Sequence, residues 1–177
     1  MQDFLITLMA LGAVVLNVIF IACLIALLSG AWRGRILDII GRHALVITFI
    51  LSALSLVGSL FVEYIVLLAP CDLCWWQRIF MYPIALITGV AFVKNVRFSD
   101  IADYVLVLAV PGAAVALYQH LLQMLPAGSL LPCDASGDCA VRSVFEFGYV
   151  TFPWLAFSIF ALLILTALVA RRSTIKA

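Results

Sequence analysis

"APCDLCWWQRIF", residues 69–80, sets two cysteines two residues apart and follows them with two tryptophans, a glutamine and an arginine. On either side the chain is greasy: residues 44–69 upstream and 75–93 downstream are dominated by aliphatic and aromatic side chains. Each run is near the ~20 residues that a helix needs to cross ~30 Å of hydrocarbon, so the polar island between them reads as a membrane–water boundary. Runs at 4–29, 104–125 and 150–170 repeat the pattern. The 177-residue chain is 67% hydrophobic and 11% charged, far from the roughly half apolar, quarter charged make-up of a soluble domain. A backbone without water must satisfy its own polar groups, and helices do so within one segment. The expectation is an all-α integral membrane protein with five spans and no room for a separate soluble domain. The run at 75–93 is the shortest and carries Gln77 and Arg78 at its start. A net charge of +1 argues against nucleic acid as a partner. The first run reads as a span rather than a cleaved signal, because Met1-Gln2-Asp3 supplies no basic flank and the stretch is too long.

Basic residues give the orientation. Arg33, Arg35 and Arg42 follow the first run, Lys94 and Arg97 follow the third, and Arg171, Arg172 and Lys176 follow the fifth, which accounts for eight of the ten. If these segments are cytoplasmic, the positive-inside rule is satisfied, with the N-terminus outside and the C-terminus inside. Cys71 and Cys74 then lie between spans two and three on the outer side, and Cys133 and Cys139 lie between spans four and five on the same side. Cys23 alone falls within a span and reads as a small apolar residue. The sequence divides into residues 1–43, an N-terminal span with a cytoplasmic loop, and residues 44–177, a four-helix membrane unit with candidate catalytic loops at 70–75 and 126–149.

Cysteines facing an oxidising compartment allow three readings. They are structural disulfides that pin the loops, a four-thiolate zinc site, or an electron relay in which one pair exchanges with a soluble partner and the other passes electrons into the membrane. Cys133 and Cys139 enclose Asp134, Ser136, Gly137 and Asp138, turn-forming residues in a short exposed loop; a strained, accessible disulfide there is of the labile kind. The neighbours of the first pair favour the relay. Arg78 is four residues after Cys74, one turn along the same helix face. A cation there, together with the positive end of the helix, stabilises a thiolate, and the thiolate is the reactive form. The competing reading of Arg78 is an anchor that snorkels to the headgroups, and that of Trp75 and Trp76 an interfacial belt.

His120, in "LYQHLLQMLP" near the outer end of the fourth run, is ionisable within a span and is a functional candidate by that fact. Facing Arg78, it would complete a site for a polar ring substituent such as a quinone carbonyl; at the interface it would simply be solvated. Glu63 reads chiefly as interfacial, with a proton-relay role as the alternative. Pro83 and Pro111 fall inside spans, where proline kinks a helix and opens space between neighbours. The aromatic segment 141–154 reads as lying along the membrane surface.

"PCDLCWWQRIFMYP" resembles the signature of the DsbB family of membrane thiol oxidases, and more closely its short BdbC-like branch. "LYQHLLQMLP" and "CDASGDC" are similar to the family's approach to its catalytic loop and to its second cysteine pair, so that the resemblance covers about residues 44 to 172. It implies a four-helix bundle in a bacterial cytoplasmic (inner) membrane that reoxidises a soluble thioredoxin-like, DsbA-like dithiol oxidase and delivers the electrons to a membrane quinone, ubiquinone or menaquinone. By the same resemblance, Cys133 and Cys139 exchange with the partner, and Cys71 and Cys74 receive the electrons with Cys74 next to the quinone. Arg78 supports both, and His120 lies near the site; no metal is implied. Against this stand purely structural loop disulfides and a reductase that runs electrons outward. The chain departs from the pattern in its extra N-terminal span and in the close spacing of Cys133 and Cys139.

Overall fold

The computed structural model describes residues 2–125 and 144–174, and among them the chain forms five helices: α1 (Gln2–Leu28), α2 (Gly30–Tyr64), α3 (Asp72–Val93), α4 (Phe98–Met124) and α5 (Phe152–Thr174). All five are long and apolar enough to cross a membrane, and the protein is a multi-pass membrane protein. Helices α2 to α5 make a four-helix bundle, and α1 is the additional helix, packed against α2 and α5.

The bundle is assembled on small residues. Helix α4 buries Ala102, Ala109, Gly112, Ala113 and Ala116 against Phe160, Leu163, Ala167 and Ala170 of α5. In lipid there is little hydrophobic drive between helices, so close backbone approach and van der Waals contact hold them together. Gly112 shows how close that approach is, since a Cβ built there would overlap the Phe160 ring. Leu54, Leu86, Val107 and Val18 are exposed, as lipid-facing side chains should be when the solvent is hydrocarbon. Four hydroxyls inside the spans are satisfied locally: Ser52, Ser55, Thr88 and Thr166 each donate to the carbonyl four residues back.

Polar contacts also cross between helices away from the cysteines. Ser59 of α2 and Tyr82 of α3 pair at 2.8 Å. Ser158 of α5 donates to Asn17 Oδ1 of α1 at 2.9 Å. Beside the second pair, Ala10 and Ala13 of α1 are fully buried with Val150, and Trp154 and Leu155 pack around them. The additional helix is therefore seated by close packing and by a part-buried hydrogen bond.

The structure differs from the expectation in the segment 30–43. Its charges mark it as a loop, yet it is the beginning of α2, whose 35 residues extend about 50 Å, well beyond the hydrocarbon thickness. Arg33, Arg35, Asp38 and Arg42 carry this extension into the polar region, with Arg42 paired to Asp38 one turn away. Helix α4 likewise starts at Phe98, earlier than the apolar run, and its Asp103 pairs with Arg171 of α5 at 3.1 Å. That contact sets the α3–α4 turn and the end of α5 at one end of the bundle. Within the aromatic segment, residues 144–150 form a tight turn closed by a bridge between Glu146 and Val150, with Phe147 and Gly148 at positive φ.

Candidate thiol site

The site is built where α3 begins. Cys71 is the residue before the helix, with extended backbone, φ −76° and ψ 170°, and its carbonyl accepts the first helical bond from the Trp75 amide at 3.1 Å. Pro70 immediately before it disfavours continuing helix upstream. Three residues on, Cys74 occupies the first turn, and the two sulfurs stand 3.0 Å apart. The pair straddles the positive end of the helix, where unsatisfied amides and the aligned peptide dipoles favour negative charge.

Helix α4 supplies the donor that faces the sulfurs. Gln119, 1% exposed, directs Nε2 at Cys71 Sγ (3.1 Å) and at Cys74 Sγ (3.4 Å). Its orientation is fixed from α3, because Gln77 Nε2 donates to Gln119 Oε1 at 2.6 Å. With the oxygen engaged in this way, the amide group is left pointing at the thiols.

One turn beyond Cys74, Arg78 is buried. Its guanidinium is ion-paired to Glu63 of α2 and donates to the Ser59 carbonyl at 3.2 Å. It also lies over the Trp75 ring at 5.1 Å, a cation–π distance. The charge that the sequence spacing aims at Cys74 is thus held on the α2 side of the site and matched by Glu63, a pairing across spans that the sequence did not reveal.

These groups line one end of a cavity of about 550 Å³. Cys71, Cys74, Gln77, Arg78 and Gln119 form its polar end, and the rest is mainly apolar residues of α1, α2, α3 and α5, joined by Ser55, Ser59, Tyr82 and Gln123. The volume is that of a small-molecule site, and a mostly apolar wall with a few convergent polar groups is the usual make-up of one.

His120 belongs to a different contact. Its Nδ1 pairs with Thr151 Oγ1 at 2.9 Å and its ring packs on Trp154 with centroids 4.7 Å apart. It is absent from the cavity lining, because the 100° step from Gln119 along α4 turns it toward the start of α5. Gln119, its neighbour in sequence, occupies the thiol side instead. The signal for Gln119 was present as a polar residue in a span, but only the packing of α3 on α4 distinguishes the two faces. Cys133 and Cys139 lie outside the described residues, and Cys23 sits apart in α1.

The profile of the family described as disulfide bond formation protein DsbB matches residues 41–170. Disulfide bond formation protein C of Bacillus subtilis is 36% identical over 120 residues, 67% of this chain and 85% of that protein. A probable disulfide formation protein C of Halalkalibacterium halodurans is 36% identical over 124 residues, 69% and 89% of the two chains. A probable disulfide formation protein of Metapseudomonas resinovorans is 34% identical over 135 residues, 75% and 92%. No solved structure matches.

Proposed function

Since the chain belongs to the family of disulfide bond formation protein DsbB, we propose that it is a membrane thiol–disulfide oxidase that takes electrons from a soluble thioredoxin-like dithiol and delivers them to a membrane quinone. The observation that carries this reading is the Cys71–Cys74 pair, sulfurs 3.0 Å apart, at the polar end of an otherwise apolar cavity among membrane-spanning helices. A stapled loop needs no cavity beside its sulfurs. A quinone fits the lining, since its carbonyls find donors at Gln119, Gln77 and Arg78 and its apolar remainder finds aliphatic walls. Such a group, when bound, accepts two electrons and two protons.

The protein's own residues do the exchange chemistry. A thiolate of the partner attacks the Cys133–Cys139 disulfide and forms a mixed disulfide; the partner's second thiolate displaces it and leaves that pair as two thiols. These thiols attack the Cys71–Cys74 disulfide in the same manner, regain their own bond and leave Cys71 and Cys74 reduced. Each transfer moves one electron pair and depends on thiolate fraction, leaving group and access. Cys74, one turn deeper in α3, faces the acceptor. Gln119 donates to both sulfurs and steadies the negative charge they carry while reduced, and the start of α3 adds to it. Arg78, held by Glu63 and Ser59, presents a cation to the acceptor end of the cavity. His120 positions the start of α5 through Thr151. The clustering of basic residues at the opposite end of the bundle supports loops on the extracytoplasmic side of a bacterial inner membrane.

The test mixes purified protein, a reduced thioredoxin-like dithiol and a quinone analogue, and follows quinone absorbance. Loss of quinone absorbance in step with dithiol oxidation is expected. No quinone consumption, with both cysteine pairs remaining oxidised throughout, would overturn the reading in favour of structural disulfides.

A further inference from the structure

The cavity beside the thiols has a wall that the family match does not include. Residues 41–170 match the family, whereas Met9, Gly12 and Leu16 of α1 line the cavity together with α2, α3 and α5. Their spacing of three and four residues puts them on one helix face. On the adjoining face, Ala10, Ala13 and Asn17 dock α1 onto α5. Helix α1 is thus held by one side and borders the cavity with the other.

Gly12 on α1 and Gly58 on α2 both line this cavity, and a Cβ built at either meets nothing within 4 Å. Both glycines weaken the intrinsic helix preference of their segments, and neither is needed for close packing, in contrast to Gly112. What their missing side chains leave is room, in a cavity walled by aliphatic residues of α1 and α2 together with Ser55 and Ser59, whose hydroxyls are engaged by carbonyls of their own helix. An apolar cavity at membrane depth suits an apolar occupant better than water, which needs several polar partners.

We propose that α1 is the lateral wall of the acceptor site, and that the slot kept open by Gly12 and Gly58 holds the apolar tail of a lipid-soluble quinone whose ring lies at Cys74 and Gln119. The inference rests on the functional reading above and deepens it, since it assigns the additional helix a part in choosing and retaining the acceptor. The ring contacts belong to the thiol end. The tail contacts are shared between α1, which lies outside the family-matched residues, and the Gly58 stretch of α2, which lies inside them, so tail length and bulk are what this wall discriminates.

The experiment compares a tail-less quinone with one bearing a long apolar tail, in wild type, Gly12→Leu and Gly58→Leu. Filling the slot should raise the ratio of KM values, long-tailed to tail-less, by about tenfold, the effect of a few misplaced methylenes in an apolar pocket. A second measurement needs no variant: a quinone with a photoreactive group on its tail should label α1 peptides of the wild-type chain, and excess unreactive quinone should suppress the labelling. An unchanged ratio in both variants, or labelling confined to α3, α4 and α5, would overturn the wall while leaving quinone reduction standing. A wild-type protein that reduces neither quinone would overturn the functional reading and the wall together.

Discussion

Gln77 donates to the side-chain oxygen of Gln119 at 2.6 Å and so turns the Gln119 amide group toward the sulfurs of Cys71 and Cys74. One residue two turns into α3 span territory, measured from Cys71, thereby sets the polarity of the surroundings of a thiol pair through a side chain on another helix. A donor aimed at sulfur favours the anionic form, and turning the amide over would present an oxygen instead.

Gln119→Leu is expected to slow oxidation of the reduced Cys71–Cys74 pair by quinone about tenfold, the equivalent of one hydrogen bond to a charged group. Stopped-flow measurement of quinone consumption after prior reduction of the pair checks this. Gln77→Ala should give a smaller effect in the same direction, because it removes the orienting bond and leaves the donor in place. Equal rates for wild type and Gln119→Leu would remove Gln119 from the chemistry.

Arg78→Ala is expected to lower kcat/KM for quinone by about ten- to a hundredfold and to destabilise the fold by about 1–3 kcal/mol, since it leaves Glu63 without its cation in a mostly buried position. Arg78→Lys should restore little, because a lysine cannot reproduce the paired donation to Glu63 and to the Ser59 carbonyl while lying over Trp75. Kinetics in both variants, together with thermal unfolding, separate the two effects. Full activity in Arg78→Lys would mean that charge alone matters.

Cys74→Ser is expected to abolish quinone reduction, while a mixed disulfide with the dithiol partner still forms and accumulates. Non-reducing gels and thiol trapping read this directly. In wild-type cells starved of oxidised quinone, trapping should find Cys71 and Cys74 reduced, whereas disulfides with a purely structural role would remain closed.

His120→Ala is expected to lower thermal stability by about 1–2 kcal/mol, through the lost Thr151 contact and the lost packing on Trp154, and to change KM for quinone by less than about threefold. A large KM change without loss of stability would place the imidazole at the acceptor after all.

Gly112→Ala probes the bundle itself. A methyl group there meets the Phe160 ring, and overpacking of this kind costs about 1–3 kcal/mol. A lower unfolding temperature in detergent is expected, and Phe160→Leu in the same chain should recover part of the loss by yielding space.

Much of this architecture is legible in the sequence because a bilayer imposes it. Runs of aliphatic residues mark the spans, and the clustering of Arg and Lys groups their ends. The polar island at the cysteines marks the boundary where α3 starts, and Arg78 falls one turn beyond Cys74 as counted. What is hidden is partner choice. Apolar patterning reveals that Glu63, Gln77, Gln119 and His120 are costly to bury, but not that Glu63 meets Arg78 or that Gln119 rather than His120 faces the sulfurs. Those outcomes depend on the rotation of α3 against α2 and α4, which a pattern of nearly uniform hydrophobicity does not encode. The continuation of α2 through 30–43 was obscured for a related reason, since charged residues spaced along a helix above the hydrocarbon look locally like a loop.

With α1 as the proposed wall of the acceptor site, the part-buried bond between Asn17 and Ser158 makes the register of that helix a functional quantity. A generic leucine stretch of the same length would insert into a bilayer just as readily, yet it could dock at any rotation. One residue inserted between Gly12 and Asn17 would swing the upstream turn by about 100° relative to the docked asparagine and turn the glycine away from the cavity. By the role proposed for α1, swapping this helix for an arbitrary membrane anchor in a fusion or truncation design would keep the protein in the membrane while altering which oxidants it accepts.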